Sequence, residues 1–204
     1  MTNIILLVLC LVLGVLLQRN KSLPKDAHLT LNTIILFVPL PAIALLNVPL
    51  LKFDVKLLGL ALGPWLIFLM SYLLIPIVGK YLKFDRATIG CLILTTGLGN
   101  TAFVGFPLLE ALYGVEVIKY AVFLDQLGTF LIVSVVGIGV AAKYSAGKLR
   151  VKEMALKILC FPPFVSFFAS LALGLAGWQA QGMTKDILSQ LSLTLTPLAL
   201  ISVG

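Results

Sequence analysis

The sequence predicts an all-α integral membrane protein with seven transmembrane helices. Of its 204 residues, 60% are apolar and only 11% are charged, and the mean hydropathy is +1.12. A typical soluble domain has about 25% charged residues, so this chain has too few charges to cover a surface that faces water. The composition excludes an ordinary soluble domain and predicts a chain embedded in a lipid bilayer.

Seven apolar segments approach or reach the length that a helix needs to cross a bilayer. About 20 mostly apolar residues span roughly 30 Å of hydrocarbon, and the polar loops between the segments are too short for a soluble domain. The first segment lacks the basic start of a signal peptide, so we expect it to be retained as a helix. The predicted spans are residues 3–18, 29–48, 57–78, 87–109, 118–142, 158–178 and 187–204.

The basic residues predict the orientation of these spans. The chain carries 15 Lys and Arg against 8 Asp and Glu, a net charge of +7. Eleven of the basic residues fall in the odd-numbered loops and four in the even-numbered loops. Because cytoplasmic loops are enriched in Lys and Arg, we expect a multi-pass protein of the cell inner (plasma) membrane with its amino terminus outside. We interpret the most basic segment, residues 143–157, as a solvated linker; binding of anionic lipid headgroups is the alternative.

The sequence lacks the residue patterns of enzymes and metal sites. Three cysteines, Cys10, Cys91 and Cys160, lie in apolar runs without paired spacing, so we interpret them as small buried residues. The sequence contains no GxxxxGK nucleotide-binding motif and no paired His–Glu metal motif. We therefore expect no enzymatic activity, no cofactor and no metal.

Two parts of the sequence repeat each other in order. LVLGVL at 11–16 is echoed by LALGLA at 171–176, and PAIALLNV at 41–48 by PLALISVG at 197–204. Because five spans precede the second copy, it starts from the opposite side of the membrane, and such inverted repeats are typical of secondary transporters. We therefore expect three further spans in a complete ten-helix (5+5) architecture. The predicted division is residues 1–142 for the first repeat, 143–157 for the linker and 158–204 for a truncated second repeat.

The fourth span contains TTGLGNTAFVGFP at residues 95–107, where three glycines and a proline disfavour a regular helix. Unwound backbone is tolerated inside a membrane only where it is buried in protein or lines a cavity, so a break among polar side chains indicates a binding site. The helix that restarts beyond it would present free N–H groups to an anion. The alternative is that the glycines only permit close packing and the proline kinks the span. The predicted substrate-binding residues are Thr96, Gly99, Asn100, Thr101 and Pro107.

Asp125 is the one acidic residue deep inside a predicted span. An ionised carboxylate near the bilayer centre costs about 2.5 to 3.5 kcal/mol on insertion scales, so it is normally partnered or protonated. Thr129 lies one helical turn further on and Gln126 is adjacent. We therefore predict an ion-coupling site of Asp125, Gln126 and Thr129; a hydrogen bond between helices or a water-exposed helix end is the alternative.

The most distinctive segments are GLGNTAFVGFPLLEALYG at 97–114, FLDQLGTF at 123–130 and LNTIILFVPLPAIALL at 31–46. In these segments the chain resembles the auxin efflux carrier family, bacterial permeases related to plant PIN carriers. The resemblance implies ten helices in two inverted repeats, with the fourth and ninth helices broken at prolines beside the substrate; Asn100 and Pro107 match the first crossover. It also implies a scaffold of spans one, two, six and seven, a moving transport domain that includes spans three to five, and substrates such as auxin, malate or malonate.

Together these features predict a passive or secondary active carrier of a small organic anion, a carboxylate or an auxin-like compound, that works by elevator-type alternating access. Asp125 would bind the coupling proton or Na⁺. The expected partners are the anion, the coupling ion and the lipid bilayer, with a homodimer as a candidate assembly and no nucleic acid. The alternative is a non-transporting membrane scaffold or assembly partner, if 204 residues are the natural product.

Overall fold

A computed structural model of the chain describes residues 2–19, 24, 26–51, 55–144 and 159–204. Within these ranges helices are the only regular secondary structure, which confirms the predicted all-α class. Three segments of the described part are π-helical: π1 (Thr101–Gly105), π2 (Asp125–Phe130) and π3 (Ile132–Gly137). The α-helices are α1 (Thr2–Gln18), α2 (Ala27–Phe37), α3 (Pro39–Asn47), α4 (Val55–Tyr81), α5 (Arg86–Gly97), α6 (Phe106–Tyr113), α7 (Ile118–Leu124), α8 (Ile138–Tyr144), α9 (Pro162–Leu175), α10 (Gly182–Leu193) and α11 (Leu195–Val203).

Among the described residues, five helical stretches are long and apolar enough to cross a membrane, which supports a multi-pass membrane protein. The other two predicted spans are apolar but shorter, at Ile4–Gln18 and Pro162–Leu175. The stretches of full length are Ala27–Leu50, Gly59–Tyr81, Arg86–Tyr113, Val115–Tyr144 and Gly182–Val203.

The sixth predicted span is shorter than expected because both of its ends are fixed by local chemistry. Prolines occupy the first turn of α9, where the missing N–H is tolerated. At the other end Gly177 has φ of +80°, and its N–H bonds the Gly174 carbonyl while that of Trp178 bonds the Leu173 carbonyl. This pair of hydrogen bonds is a Schellman motif, which ends a helix. Only 14 residues therefore remain helical, about 21 Å of rise.

The described residues pack into two compact units, each formed from separate stretches of the chain. The division passes between Gly99 and Asn100 and again between Val122 and Phe123, so the predicted fourth and fifth spans each contribute to both units. The domain boundaries drawn from the sequence repeat stay a prediction. The first unit comprises Met1–Lys52, Asn100–Val122 and Phe161–Gly204, and the second comprises Phe53–Gly99 and Phe123–Cys160.

Helix contacts in the first unit are reciprocal. The segments α2 and α3 form one span interrupted at Val38, and α10 and α11 form another interrupted at Thr194. Helix α1 packs on α11 and α9 packs on α3, while α2 contacts α11 and α10 contacts α3. The contact of α1 with α11 therefore has its counterpart in that of α9 with α3, and the contact of α2 with α11 has its counterpart in that of α10 with α3.

Two glycines allow these helices to approach closely. A Cβ atom on Gly14 in α1 would lie 2.5 Å from the Ile201 carbonyl oxygen of α11. On Gly174 in α9 it would lie 2.8 Å from Pro49 Cα. Both glycines occupy the same place in the repeated LxLGxx pattern. Close backbone contact at small residues drives helix association in lipid, where apolar burial contributes little.

The second unit has an apolar core formed by Phe68, Ile93, Ile132 and Val140. Helix α4 packs on α5, and α5 packs on α8. A Cβ atom on Gly97 would lie 2.9 Å from Phe68 Cδ2, so the end of α5 also depends on a small residue. These contacts join α4, α5 and α8 within the second unit.

Helix α5 begins where Asp85 can satisfy its first backbone donors. The Asp85 carboxylate accepts from the N–H groups of Ala87 (3.1 Å) and Thr88 (3.3 Å) and from the Thr88 hydroxyl. These bonds, the one from the Thr88 side chain first, hold the pKa of Asp85 below its usual value. A lowered pKa means that the cap is complete above the ordinary carboxyl pKa and is lost as the pH falls through the folded value.

The basic linker can be described only at its start. Residues 145–158 lie outside the described residues, as do Lys21 and Lys25 of the first loop. Lys143 donates from Nζ to the Tyr72 hydroxyl at 2.9 Å, and Arg86 donates to the Lys143 carbonyl at 2.5 Å. The linker role and the predicted orientation of the spans stay predictions.

The three cysteines differ in burial. All are free thiols, and Cys10 is buried as predicted. The prediction is wrong for Cys91 and Cys160, which are exposed. An apolar run in a membrane helix need not be buried in protein, because its outward face meets lipid.

Gly174→Ala tests the close helix contact at Pro49. We expect it to destabilise the protein by about 1–3 kcal/mol, because the added methyl group meets backbone that cannot rotate away. Thermal unfolding of the purified protein in detergent measures the loss. Gly59→Ala is the matched control, since a Cβ atom there meets nothing within 4 Å. Equal melting temperatures for the two variants would contradict the contact.

Candidate functional site

The predicted break in the fourth span is present. Helix α5 ends at Gly97 and π1 begins at Thr101. Between them Leu98 is extended, with φ of −125° and ψ of 121°, and Asn100 has φ of −81° and ψ of 75°. The interruption lies inside the candidate membrane span Arg86–Tyr113. A non-helical stretch at such a position is tolerated only where other groups satisfy the backbone or a cavity admits water.

Asn100 satisfies the first donors of the helix that follows. Its side-chain Oδ1 accepts from the Phe103 N–H at 3.1 Å, and its carbonyl oxygen accepts from Val104 (3.3 Å) and Gly105 (3.0 Å). Both oxygens of Asn100 therefore already accept hydrogen bonds from the backbone. The side chain is exposed, and within the described ranges no acceptor is found for its Nδ2 group. Asn100 thus presents two amide donors beside a helix N-terminus.

Pro107 does not form the break. The resemblance implied a helix broken at this proline, but the interruption precedes it, and Pro107 lies buried in the first turn of α6. A proline ring in an α-helix clashes with the carbonyl four residues earlier, which here belongs to Phe103 in π1. In π1 the Phe106 N–H bonds the Thr101 carbonyl, five residues back. We infer that this wider turn is what accommodates the proline.

Thr96 is engaged in the second unit. Its hydroxyl donates to the Leu92 carbonyl at 2.7 Å and lies 2.6 Å from the Ser71 hydroxyl. Ser71 in turn bonds the Ile93 carbonyl at 2.9 Å. The two hydroxyl groups have only two protons for these three contacts, so neither side chain can donate a further hydrogen bond. Within its unit Thr96 therefore joins α4 to α5.

The predicted substrate residues divide between the two units. Asn100, Thr101 and Pro107 belong to the first, and Thr96 and Gly99 to the second. Thr101 is half-buried in the first turn of π1, and Gly99 is exposed within the interruption. The assignment of these residues to substrate binding stays a prediction.

The predicted ion-coupling residues lie together on one π-helical segment. Asp125, Gln126 and Thr129 are 7%, 4% and 7% exposed, so all three are buried in the second unit. The Gln126 amide donates from Nε2 to Asp125 Oδ2 at 2.8 Å. Gln126 Oε1 is buried and has no hydrogen-bond partner among the described residues. π-Helical turns occur frequently at functional sites, because they re-aim side chains and carbonyl groups.

Contacts from α4 hold π2 in place. A Cβ atom on Gly128 would lie 2.7 Å from Pro64 Cγ, so the segment packs directly on the proline ring. The Leu131 N–H bonds the Gly128 carbonyl, which redirects it from its α-helical partner, the Leu127 carbonyl. Trp65 Nε1 donates to that carbonyl at 3.0 Å. Pro64 and Trp65 thus support the turn that carries Asp125.

Sequence reasoning missed the residues that support the site. A hydroxyl in an otherwise apolar span was the available signal for Ser71, which contacts Thr96. For Pro64 and Trp65 the signal was a proline inside a predicted helix beside an indole that needs an acceptor. Neither pattern reveals its partner, because the partner lies on another span: Thr96 is 25 residues from Ser71, and Leu127 is 62 residues from Trp65.

Comparisons with known proteins agree with these features. A protein family described as "Membrane transport protein" matches residues 1–204, the whole chain. An uncharacterized transporter of Methanocaldococcus jannaschii is 29% identical, over 99% of this chain and 67% of the relative. No solved structure matches. The resemblance carried by residues 97–114 and 123–130 is therefore confirmed, and the chain belongs to the membrane transport protein family that includes the auxin efflux carriers.

Proposed function

We propose that the protein is a secondary transporter of a small organic anion, a carboxylate or an auxin-like compound, that works by elevator-type alternating access with H⁺ or Na⁺ coupling. The observation that carries this proposal is the interruption before Thr101, inside a candidate membrane span, with Asn100 beside it. Family membership supports transport as the general function.

The chemistry of the interruption favours an anion. Backbone N–H groups in the first turn of a helix carry a partial positive charge, and Asn100 adds two amide donors. Asn100 Oδ1 already accepts from Phe103, so this side chain offers donors and no further amide oxygen. Carboxylates accept such bonds, whereas a cation would be repelled.

The packing of the chain supports an elevator mechanism. Such a mechanism needs two bodies that can move as units, and the described residues pack into two compact units. The reciprocal contacts of α1 with α11 and of α9 with α3 support an internal repeat in the first unit. In inverted-repeat transporters the exchange of conformations between two such copies opens the site to alternate sides.

The burial of Asp125 supports ion coupling. A carboxylate 7% exposed in a candidate membrane span is costly when charged, and a bound proton or a bound cation would offset that cost. Its neighbour Gln126 fixes one carboxylate oxygen through Nε2. We propose that binding at this carboxylate is the step that couples the ion gradient to transport.

Asn100→Asp separates substrate binding from helix capping. Aspartate still accepts from the Phe103 N–H and caps the helix, but it removes both amide donors and repels an anion. We expect the Kd for the transported carboxylate to rise at least about tenfold, measured by ligand-induced thermal shift against auxin, malate and malonate. Asn32→Asp makes the same chemical change at an amide that accepts from Ser202 and should leave the Kd unaltered. Unchanged affinity in Asn100→Asp would remove Asn100 from the site.

Asp125→Asn tests the coupling. An amide keeps the size of the side chain and an acceptor for Gln126, but it can neither carry a proton nor neutralise a cation. We expect reconstituted protein to lose accumulation driven by an H⁺ or Na⁺ gradient while exchange of substrate continues. Asp85→Asn is the control, since asparagine also caps helices well. Accumulation that follows either gradient unchanged in Asp125→Asn would exclude the coupling role.

A further inference from the structure

Four basic side chains gather where three candidate membrane spans begin or end. Lys80 lies in the last turn of α4, Lys83 in the turn that follows it, and Arg86 at the start of α5. Lys143 lies in the last turn of α8. All four are exposed and belong to the second unit, and within the described part of the chain none of them forms an ion pair. These four residues are called the basic cluster below.

Contacts between α4, α5 and α8 bring the cluster to one end of the unit. Arg86 donates to the Lys143 carbonyl, and Lys143 Nζ donates to the Tyr72 hydroxyl. Lys143 Nζ also lies 5.3 Å from the centre of the Tyr72 ring and 5.5 Å from that of Tyr144. A Cβ atom on Gly90 would overlap the Tyr144 side chain, so the end of α8 packs directly on α5. The packing therefore holds like charges near one another, and an anion among them would offset their repulsion.

Lys83 occupies a backbone position that glycine would fill at lower cost. Helix α4 ends in a Schellman motif, in which the Lys83 N–H bonds the Lys80 carbonyl (3.3 Å) and the Phe84 N–H bonds the Gly79 carbonyl (2.8 Å). Lys83 has φ of 58°, the only positive value at a described residue other than glycine. Side chains with a Cβ atom rarely adopt this conformation, and such exceptions occur preferentially at functional sites. A lysine at this position favours a role for its side chain.

Asp85 does not neutralise the cluster. It lies between Lys83 and Arg86 in the sequence, but its carboxylate accepts from the N–H groups of Ala87 and Thr88 and caps α5. One carboxylate among four cations leaves this end of the unit strongly positive, which suits an anionic ligand.

Apolar side chains beside the cluster favour a phospholipid over a free anion. Tyr81 is 87% exposed, and Leu82 and Phe84 are exposed as well, in the same turn as Lys83. Aromatic and basic side chains at the ends of membrane spans lie at the level of the lipid headgroups. A free anion would contact only the cations, whereas the acyl chains of a phospholipid would also cover the three apolar side chains.

We propose that the basic cluster binds the headgroup phosphate of an anionic phospholipid, with Tyr81, Leu82 and Phe84 against the acyl chains. The cluster belongs to odd-numbered loops, which the charge distribution predicts to be cytoplasmic, and anionic lipids of the cytoplasmic leaflet attract basic segments. The site is separate from the residues proposed for transport, so it does not depend on which anion or coupling ion the protein uses.

The lipid preference is measured on the purified protein in neutral detergent, with fluorescent phosphatidylglycerol as the probe. Fluorescence anisotropy should show saturable binding that weakens as NaCl is raised, because salt screens the attraction. Unlabelled phosphatidylglycerol should displace the probe at concentrations where phosphatidylcholine and glycerol 3-phosphate do not. Equal displacement by phosphatidylcholine would overturn the proposal. Equal displacement by glycerol 3-phosphate would indicate a site for free anions and would overturn it as well.

The double variant Lys83→Gly/Arg86→Gln tests the cluster. Each basic residue near a membrane surface strengthens lipid binding about fivefold, so the Kd for phosphatidylglycerol should rise roughly 25-fold. Lys185→Gln is the matched control: it removes one exposed lysine from the start of α10, in the first unit, and should leave the Kd unaltered. An unchanged Kd in the double variant would exclude the cluster as the site.

Lys83→Gly alone separates lipid binding from folding. Glycine adopts a positive φ without strain, so the melting temperature in neutral detergent should not fall, while the Kd should rise about fivefold. A lower melting temperature with an unchanged Kd would assign Lys83 to the fold and overturn its role in binding. If the double variant does not fold, this single variant and the displacement measurements on the wild-type protein decide.

Discussion

The structure depends on one constraint: in lipid, every peptide group needs a partner within the protein. At two places where the helices depart from regularity, a side chain supplies that partner. Asn100 accepts the Phe103 N–H after the break in the fourth span, and Trp65 donates to the Leu127 carbonyl in π2. An irregular turn costs free energy unless another group satisfies its backbone in this way. The positions of such turns therefore indicate where the fold meets a requirement of function and not of stability.

Close packing at small residues is the second consequence of the same medium. Lipid tails are as apolar as leucine, so helices associate through contact area and not through withdrawal from water. Gly174 against Pro49 and Gly128 against Pro64 follow this rule. In the first pair the contact joins two helices of one unit. In the second it presses a π turn against the helix that also provides Trp65, so the same packing that stabilises the unit positions Asp125.

Composition and periodicity were enough to predict helices, the membrane class and the break near Asn100, because each follows from local residue properties. They could not locate the break within residues 95–107, since Pro107 is accommodated by a π turn that sequence spacing does not reveal. Nor could they show that Thr96 is engaged by Ser71, a contact between two spans. The burial of Cys91 was predicted wrongly because a sequence does not distinguish a helix face that meets protein from one that meets lipid.

The two irregular segments offer opposite chemistry. The interruption before π1 presents the two amide donors of Asn100 Nδ2 at the positive end of a helix, and donors attract anions. π2 carries side-chain oxygens, those of Asp125, Gln126 and Thr129, and oxygen acceptors attract cations or protons. A passive channel for a carboxylate would need only the first set. A buried carboxylate adds a cost that a passive channel does not require, so its presence favours a carrier in which the movement of the anion is coupled to that of a cation.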